Sequence, residues 1–145
     1  NLTKQNLIDT DKLIEKETKL AIKEIFHKKG ENFFRKIEEK IVLNSLKLSN
    51  SIISIGGGAF LNDKIREKIK YNCLSVWLKW NQQTLILRIK NSKKRPKAYL
   101  LEEKDLIKLI NIRSKIYSKA DYKINCDNLT KEQITNKILK IYEKK

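Results

Sequence analysis

A chain of 145 residues, 40% of them apolar, fits one domain with a single core. Its 33 Lys+Arg against 17 Asp+Glu give a formal charge of +16, which points to anionic partners: nucleic acid, a membrane surface, or phosphorylated and carboxylated small molecules. No apolar run approaches the ~18 residues of a membrane span, and the two cysteines and single histidine, His27, lack zinc-ligand spacing.

In chain order, Asn1 to Gln5 reads as the tail of a helix. Leu7-Ile8 and Asp9-Thr10-Asp11 read as a short strand ending in two carboxylates. Acids at i and i+2 at a strand's carboxyl end can both reach the space above the sheet, one serving a metal and the other a substrate hydroxyl. The alternative is that Asp11 caps a helix starting at Lys12. Lys12 to Glu24, with Leu13, Ile14, Leu20, Ala21 and Ile25, predicts a helix or a pair of short helices broken near Thr18. His27 falls in a Lys-rich turn that ends at Gly30 and is expected to be solvated. Glu31 to Leu48 predicts a long amphipathic helix with Phe33, Phe34, Ile37, Ile41, Val42 and Leu46 inward. On its side, Arg35 and Glu38 form an i,i+3 pair; at a surface such a pair contributes only a few tenths of a kcal/mol.

Ser51 to Phe60 joins a strand signal, Ile52-Ile53-Ser54-Ile55, to Gly56-Gly57-Gly58. The strand reads as central and buried on both faces of a parallel sheet. The glycines are expected to permit positive φ and close approach of a ligand, the alternative being a plain reversing turn. A helix over Asp63 to Lys70 and a strand over Cys73 to Leu78 follow. Trp80 to Ile89 returns as helix, with Arg88 near its end. Lys90 to Lys97 holds four lysines, Arg95 and the only proline, Pro96, and reads either as a disordered basic loop or as a lid that closes on phosphate. Leu100 to Lys119, carrying Arg113 and Tyr117, predicts a helix, Asp121 to Cys126 a strand, and Thr130 to Tyr142 a closing helix capped by Thr130 or Asn128. Cys73 and Cys126 are expected to be small buried apolar residues. The alternation of strands and helices is that of an α/β protein, a doubly wound parallel sheet with helices on both faces.

Read together, Ile8-Asp9-Thr10-Asp11 with Ile14-Glu15, Phe34-Arg35-Lys36-Ile37-Glu38, Ser54 to Ala59, Arg95-Pro96, and Arg113 with Tyr117 and Ala120 resemble the shikimate kinase family from residue 1 to near 145. The resemblance implies a P-loop kinase of the nucleoside-monophosphate-kinase type. It would pass the γ-phosphate of ATP, with Mg²⁺, to the 3-hydroxyl of shikimate in aromatic amino-acid biosynthesis. It implies a single domain over 1–145, with substrate-binding helices at 12–48 and a lid at 90–100. Arg35 and Arg113 would hold the shikimate carboxylate, Gly57 and Gly58 would offer backbone amides, Phe26 and Phe34 would wall the ring, and Glu38 would orient Arg35. Asp11 would meet the substrate hydroxyls and act as general base. Asp9 would reach Mg²⁺ through water near Ser54. Arg88 would stack on adenine and Arg95 would neutralise the γ-phosphate. A cytoplasmic monomer with no membrane association is expected.

The family opens with a strand, a GxxxxGK[ST] loop and a helix, and none of that loop is in this sequence, which also has no methionine. The chain is therefore expected to lack the first, central strand, to have lost on the order of two dozen residues of a strand-loop-helix unit, and to be inactive as given. Lys97-Ala98 and Lys131 depart from the family's usual residues. Two other readings were weighed: a gluconate kinase, which would not need paired Arg35 and Arg113, and a nucleic-acid-binding module. The latter predicts aromatics interleaved with a basic stripe, whereas the lysines here are dispersed.

Overall fold

The structure, a computed structural model, describes residues 5–91 and 101–144; Arg95, Pro96 and nearly all of the expected lid lie outside them. The chain divides into two compact units, Asn1–Cys73 and Leu74–Lys145. Each is built on one pair of parallel strands.

In the first unit, β1 (Asn6–Asp9) leads through α1 (Thr10–Thr18), α2 (Ile22–Lys28) and α3 (Gly30–Ser45) to β2 (Ser51–Ser54), and then through one 3₁₀ turn, Ala59–Leu61, to α4 (Asp63–Asn72). Leu7 lies opposite Ile52, and Asp9 opposite Ser54. The helix after β1 starts earlier than expected, and its cap is Asp9, not Asp11: Asp9 Oδ1 accepts from the backbone N–H of Asp11 at 3.1 Å and of Lys12 at 3.4 Å. The break at Thr18 is present; Lys19 takes a left-handed φ of 56° and ends α1. Helix α3 stops at Ser45, short of Leu48, because the next amides tighten onto carbonyls three residues back, Lys47 to Asn44 and Leu48 to Ser45.

Two clusters form the core of this unit. Ile14, Ile25, Phe34 and Ile41 pack together, and Val42, Leu46, Ala59, Ile65 and Ile69 form the second. The buried stripe of α3 is Phe34, Glu38, Ile41, Val42 and Ser45. Phe33, expected inward, is exposed, since a stripe counted in threes and fours from position 34 leaves 33 on its flank. The expectation that β2 is buried on both faces is also corrected. Ile52 and Ser54 point to an open face, and among the described residues β2 has only β1 as a partner. Cys73 is half-buried, not buried, against the second cluster.

The second unit comprises β3 (Val76–Lys79), α5 (Gln82–Lys90), α6 (Glu103–Tyr117), β4 (Tyr122–Asn125) and α7 (Lys131–Glu143). Aspartates clamp both ends of its ladder. Asp121 Oδ2 accepts from the N–H and hydroxyl of Ser75 at 2.8 and 2.6 Å, and Asp127 Oδ2 accepts from the Asn81 N–H at 2.9 Å. Thr130 is the cap of α7, its hydroxyl accepting from the Gln133 N–H, while Asn128 supplies a left-handed turn at φ 61°. Cys126 is fully buried and its thiol donates to the Ile124 carbonyl. Burial, and after it the charge of Asp127, pushes that thiol's pKa up, so it is no nucleophile. Among the described residues no helix is long and apolar enough to cross a membrane. The α/β class with parallel strands is as expected from the sequence, with the four strands pairing as β1 with β2 and β3 with β4.

Burial separates two isoleucines that read alike in the sequence. Ile14 is 0% exposed and Ile52 39%, so Ile14→Ala is expected to cost about 2–5 kcal/mol and Ile52→Ala under about 1 kcal/mol. The shift in urea midpoint of each variant checks this.

Candidate active site

The first unit gathers its polar residues at the carboxyl ends of β1 and β2, where open α/β folds bind ligands. The two strand ends are tied together by Thr10, fully buried, whose hydroxyl donates to the Ser54 carbonyl at 3.1 Å. Beyond Ser54 the glycine run passes under two carboxylates. A Cβ placed on Gly56 would lie 3.1 Å from Asp11 Oδ1 and 3.2 Å from Glu38 Oε1, so both acids reach the same few ångströms of backbone.

Glu38 is the centre of this arrangement. It is 3% exposed within the apolar stripe of α3, and a buried carboxylate needs a cation and hydrogen bonds to offset its desolvation. Arg35, one turn earlier on α3, supplies them: Nη1 donates to Glu38 Oε2 at 2.6 Å, while Nη2 lies 3.5 Å from Glu31 Oε1. Arg35 and Glu38 are thus a buried acid with a half-buried cation, not the surface pair their spacing allowed. The guanidinium carbon is 5.2 Å from the Phe34 ring centroid, and Phe34 stacks at 4.6 Å on Phe26. With 36% of its side chain exposed, Arg35 presents its outer edge to solvent between these rings and the glycine run.

The glycines serve space and not conformation. Gly30 is the one glycine with positive φ among the described residues, and Gly58 adopts an ordinary φ of −80°. A Cβ on Gly58 would clash with Nη1 of Arg35 and lie 2.6 Å from Cζ and 2.7 Å from Nη2. The expectation of positive φ at Gly56 to Gly58 is therefore corrected, and the space left by Gly58 is filled by the protein's own Arg35.

Of the residues expected at the site, Asp11, Phe26, Phe34, Arg35, Glu38 and Gly58 come together in the first unit, and Asp9 and Ser54 face each other across the ladder ends. Gly57 lies between the two glycines that take these contacts. Arg88 and Arg113 belong to the second unit. There the Arg88 guanidinium lies 3.6 Å over the Trp80 ring, and Arg113 Nε is buried with no hydrogen-bond partner among the described residues. Arg95 is outside the described residues. The contact of the Thr10 hydroxyl with the Ser54 carbonyl has no signal in the sequence, whereas Glu38 is marked there by its i,i+3 spacing from Arg35.

No group of three or more His, Cys, Asp or Glu converges among the described residues, so an all-protein metal cage is not formed there. Asp9 spends Oδ1 on its cap, and no bond to its Oδ2 is among the cap contacts. A single carboxylate of this kind fits Mg²⁺ held mainly by water and phosphate oxygens.

A family model described as "Shikimate kinase" matches residues 1–143. The chain is 34% identical over 140 residues to a shikimate kinase from Caldanaerobacter subterraneus subsp. tengcongensis, covering 96% of this chain and 82% of that one. Among solved structures it resembles a shikimate kinase from Aquifex aeolicus, with a TM-score of 0.81 at 31% identity over 95% of this chain and 82% of that one. It also resembles one from Acinetobacter baumannii solved in complex with shikimate, with a TM-score of 0.87 at 28% identity over 97% and 79% of the two chains.

Because Gly58 has helical dihedrals, alanine there meets a steric cost and no backbone one. Gly58→Ala is expected to lower stability by about 1–3 kcal/mol, and by clearly less when Arg35 is already alanine. A double-mutant cycle in urea checks this; equal losses in both backgrounds would refute the contact.

Proposed function

The chain belongs to the shikimate kinase family, ATP-dependent kinases that act on the 3-hydroxyl of shikimate, and from that membership we propose that Arg35 grips the carboxylate of shikimate. The observation that supports this reading is the Arg35–Glu38 pair seated on Gly58. A guanidinium with one nitrogen fixed by a buried acid is pre-oriented, so its remaining N–H groups meet a planar carboxylate with little further ordering. Phe26 and Phe34 supply the apolar wall for the cyclohexene ring. Gly57 and Gly58 supply amides. In the second unit, Arg113 is the side chain assigned to shikimate, and a buried Nε with no hydrogen-bond partner among the described residues supports that role. Arg88 would carry adenine on the guanidinium face opposite Trp80, as a planar cation can stack on both sides. Arg95 would close on the γ-phosphate.

Asp11 is proposed as the general base. Its Oδ1 sits over Gly56, beside Glu38 and on the first turn of α1, within reach of a substrate hydroxyl whose carboxylate is held by Arg35. As base it takes the proton of the attacking 3-hydroxyl while the oxygen bonds to the γ-phosphorus and the bond to ADP breaks. Asp9 and Ser54 are the residues that would hold hydrated Mg²⁺, which when bound neutralises phosphate charge. The dispersed lysines do not call for nucleic acid as partner, and a monomer in the cytoplasm suits a kinase of small metabolites.

Arg35→Lys is expected to weaken shikimate binding about tenfold or more, as a point charge cannot replace a bidentate fork; calorimetric titration of the chain with shikimate checks it, and unchanged affinity would overturn the assignment. In a form that carries a phosphate loop, Asp11→Asn is expected to lower kcat about a hundredfold or more with little change in ATP affinity. Near-normal turnover would reduce Asp11 to a helix residue.

A further inference from the structure

Glycines cannot position themselves by packing, so a glycine run that meets a ligand must be held from its ends. The amino end is tied by Thr10 to the Ser54 carbonyl. From Gly56 to Asn62 the backbone is a succession of tight turns, with Ala59 N–H on the Gly56 carbonyl, Leu61 N–H on that of Gly58, and Asn62 N–H on that of Ala59. The first two turns are anchored on glycine carbonyls and the third on that of Ala59. Whatever fixes the carboxyl end therefore fixes the glycine peptides.

Two side-chain contacts act there, and neither belongs to the site described above. Arg66, one turn into α4, reaches back and donates from Nη1 to the Phe60 carbonyl at 2.8 Å, while its Nη2 pairs with Asp63. Only 14% of the Arg66 side chain is exposed, an unusual commitment of a charged group to a neutral carbonyl. Asn62 caps α4 through Oδ1 on the N–H groups of Lys64 and Ile65, and donates from Nδ2 to Glu39 Oε2 at 2.6 Å. Glu39 also accepts from Lys64 Nζ at 3.2 Å. The Asn62 hydrogen bond first, and Lys64 after it, hold the Glu39 carboxyl below the usual carboxylate range, so the contact is charged at neutral pH. Glu39 follows Glu38 on α3. The helix that orients Arg35 over Gly58 thus also grips the far end of the same loop.

We propose that Arg66, backed by the Asn62–Glu39 contact, is a positioning residue that sets the Gly57 and Gly58 amides for the substrate. This rests on the reading that those amides meet shikimate.

The chain has four glycines, Gly30, Gly56, Gly57 and Gly58, so labelling with ¹⁵N-glycine gives four backbone amide signals, with Gly30 as an internal control. Arg66→Ala is expected to move the Gly57 and Gly58 signals, leave Gly30 in place, and raise the shikimate dissociation constant about threefold to tenfold. Arg66→Lys, which can still donate to the Phe60 carbonyl, should restore part of both. Asn62→Asp keeps the capping oxygen but sets a carboxylate against Glu39, and should move the same two signals. If Arg66→Ala and Asn62→Asp lower the melting temperature while the glycine signals and shikimate affinity stay put, the two residues only stabilise α4 and the proposal fails. If the unsubstituted chain takes up no shikimate while Arg66→Ala still displaces Gly57 and Gly58, the loop clamp stands and the substrate reading alone falls.

Discussion

One ion pair organises the first unit. Glu38 lies in the apolar stripe of α3 with 3% exposure, and an acid in that place is tolerable only when a cation satisfies it. Arg35 can do so because it is three residues earlier on the same helix face. It can lie flat there because Gly58 has no Cβ to occupy the volume its guanidinium fills. The requirement then passes outward. Gly58 must follow a strand that ends at the level of this helix turn, which the parallel pairing of β2 with β1 achieves, and Phe34 must stack beneath the guanidinium. A lysine at 35 could carry the charge but would contact neither carboxylate and ring as a fork does.

The ends of β1 and β2 divide labour between carboxylates two residues apart. In β1 the chain is still extended at Asp9, so this side chain can turn forward to accept the first free N–H groups of α1. By Asp11 the chain is helical, and the side chain leaves the helix toward Gly56. The strand-to-helix transition thus separates two acids that a continuous strand would have placed side by side. Register adds the second element. Pairing Asp9 with Ser54 keeps the lone acid at the ladder end, with a hydroxyl across from it in place of a second charge. Two carboxylates facing there would repel each other and would need a cation even before any nucleotide arrived.

Periodicity and punctuation made most elements legible. The break near Thr18, the cap at Thr130, and the inward faces at Ile14 and Ile41 follow from local patterns that the fold did not override. Ile52 was misread because a run of β-branched residues says that a strand is apolar but not how many of its faces are covered. The glycine run was legible as a place of close approach, yet the approaching group and the φ values were not. The approaching group is Arg35, which is some twenty residues away and reaches Gly58 only in the folded chain. Thr10, Asn62 and Arg66 were invisible for a related reason. A hydroxyl, an amide or an arginine at a helix start looks like ordinary capping until the carbonyl or carboxylate it meets is known.

The charge excess carries less information than the kind of cation. Only five of the 33 basic residues are arginines: Arg35, Arg66, Arg88, Arg95 and Arg113. In a chain rich in lysine, isoleucine and asparagine, lysine serves wherever a solvated point charge is enough. The four arginines among the described residues occupy positions that use a planar guanidinium. Arg35 spans two carboxylates and an aromatic face, Arg66 joins a carbonyl to an aspartate, and Arg88 lies over the Trp80 ring. Arg113 buries an Nε that a lysine would not have. Each of these uses depends on several donors held in one plane, and carboxylate and phosphate are the ligands that such a plane fits best. The rare cation, more than the common one, is thus where the fold makes its specific side-chain contacts.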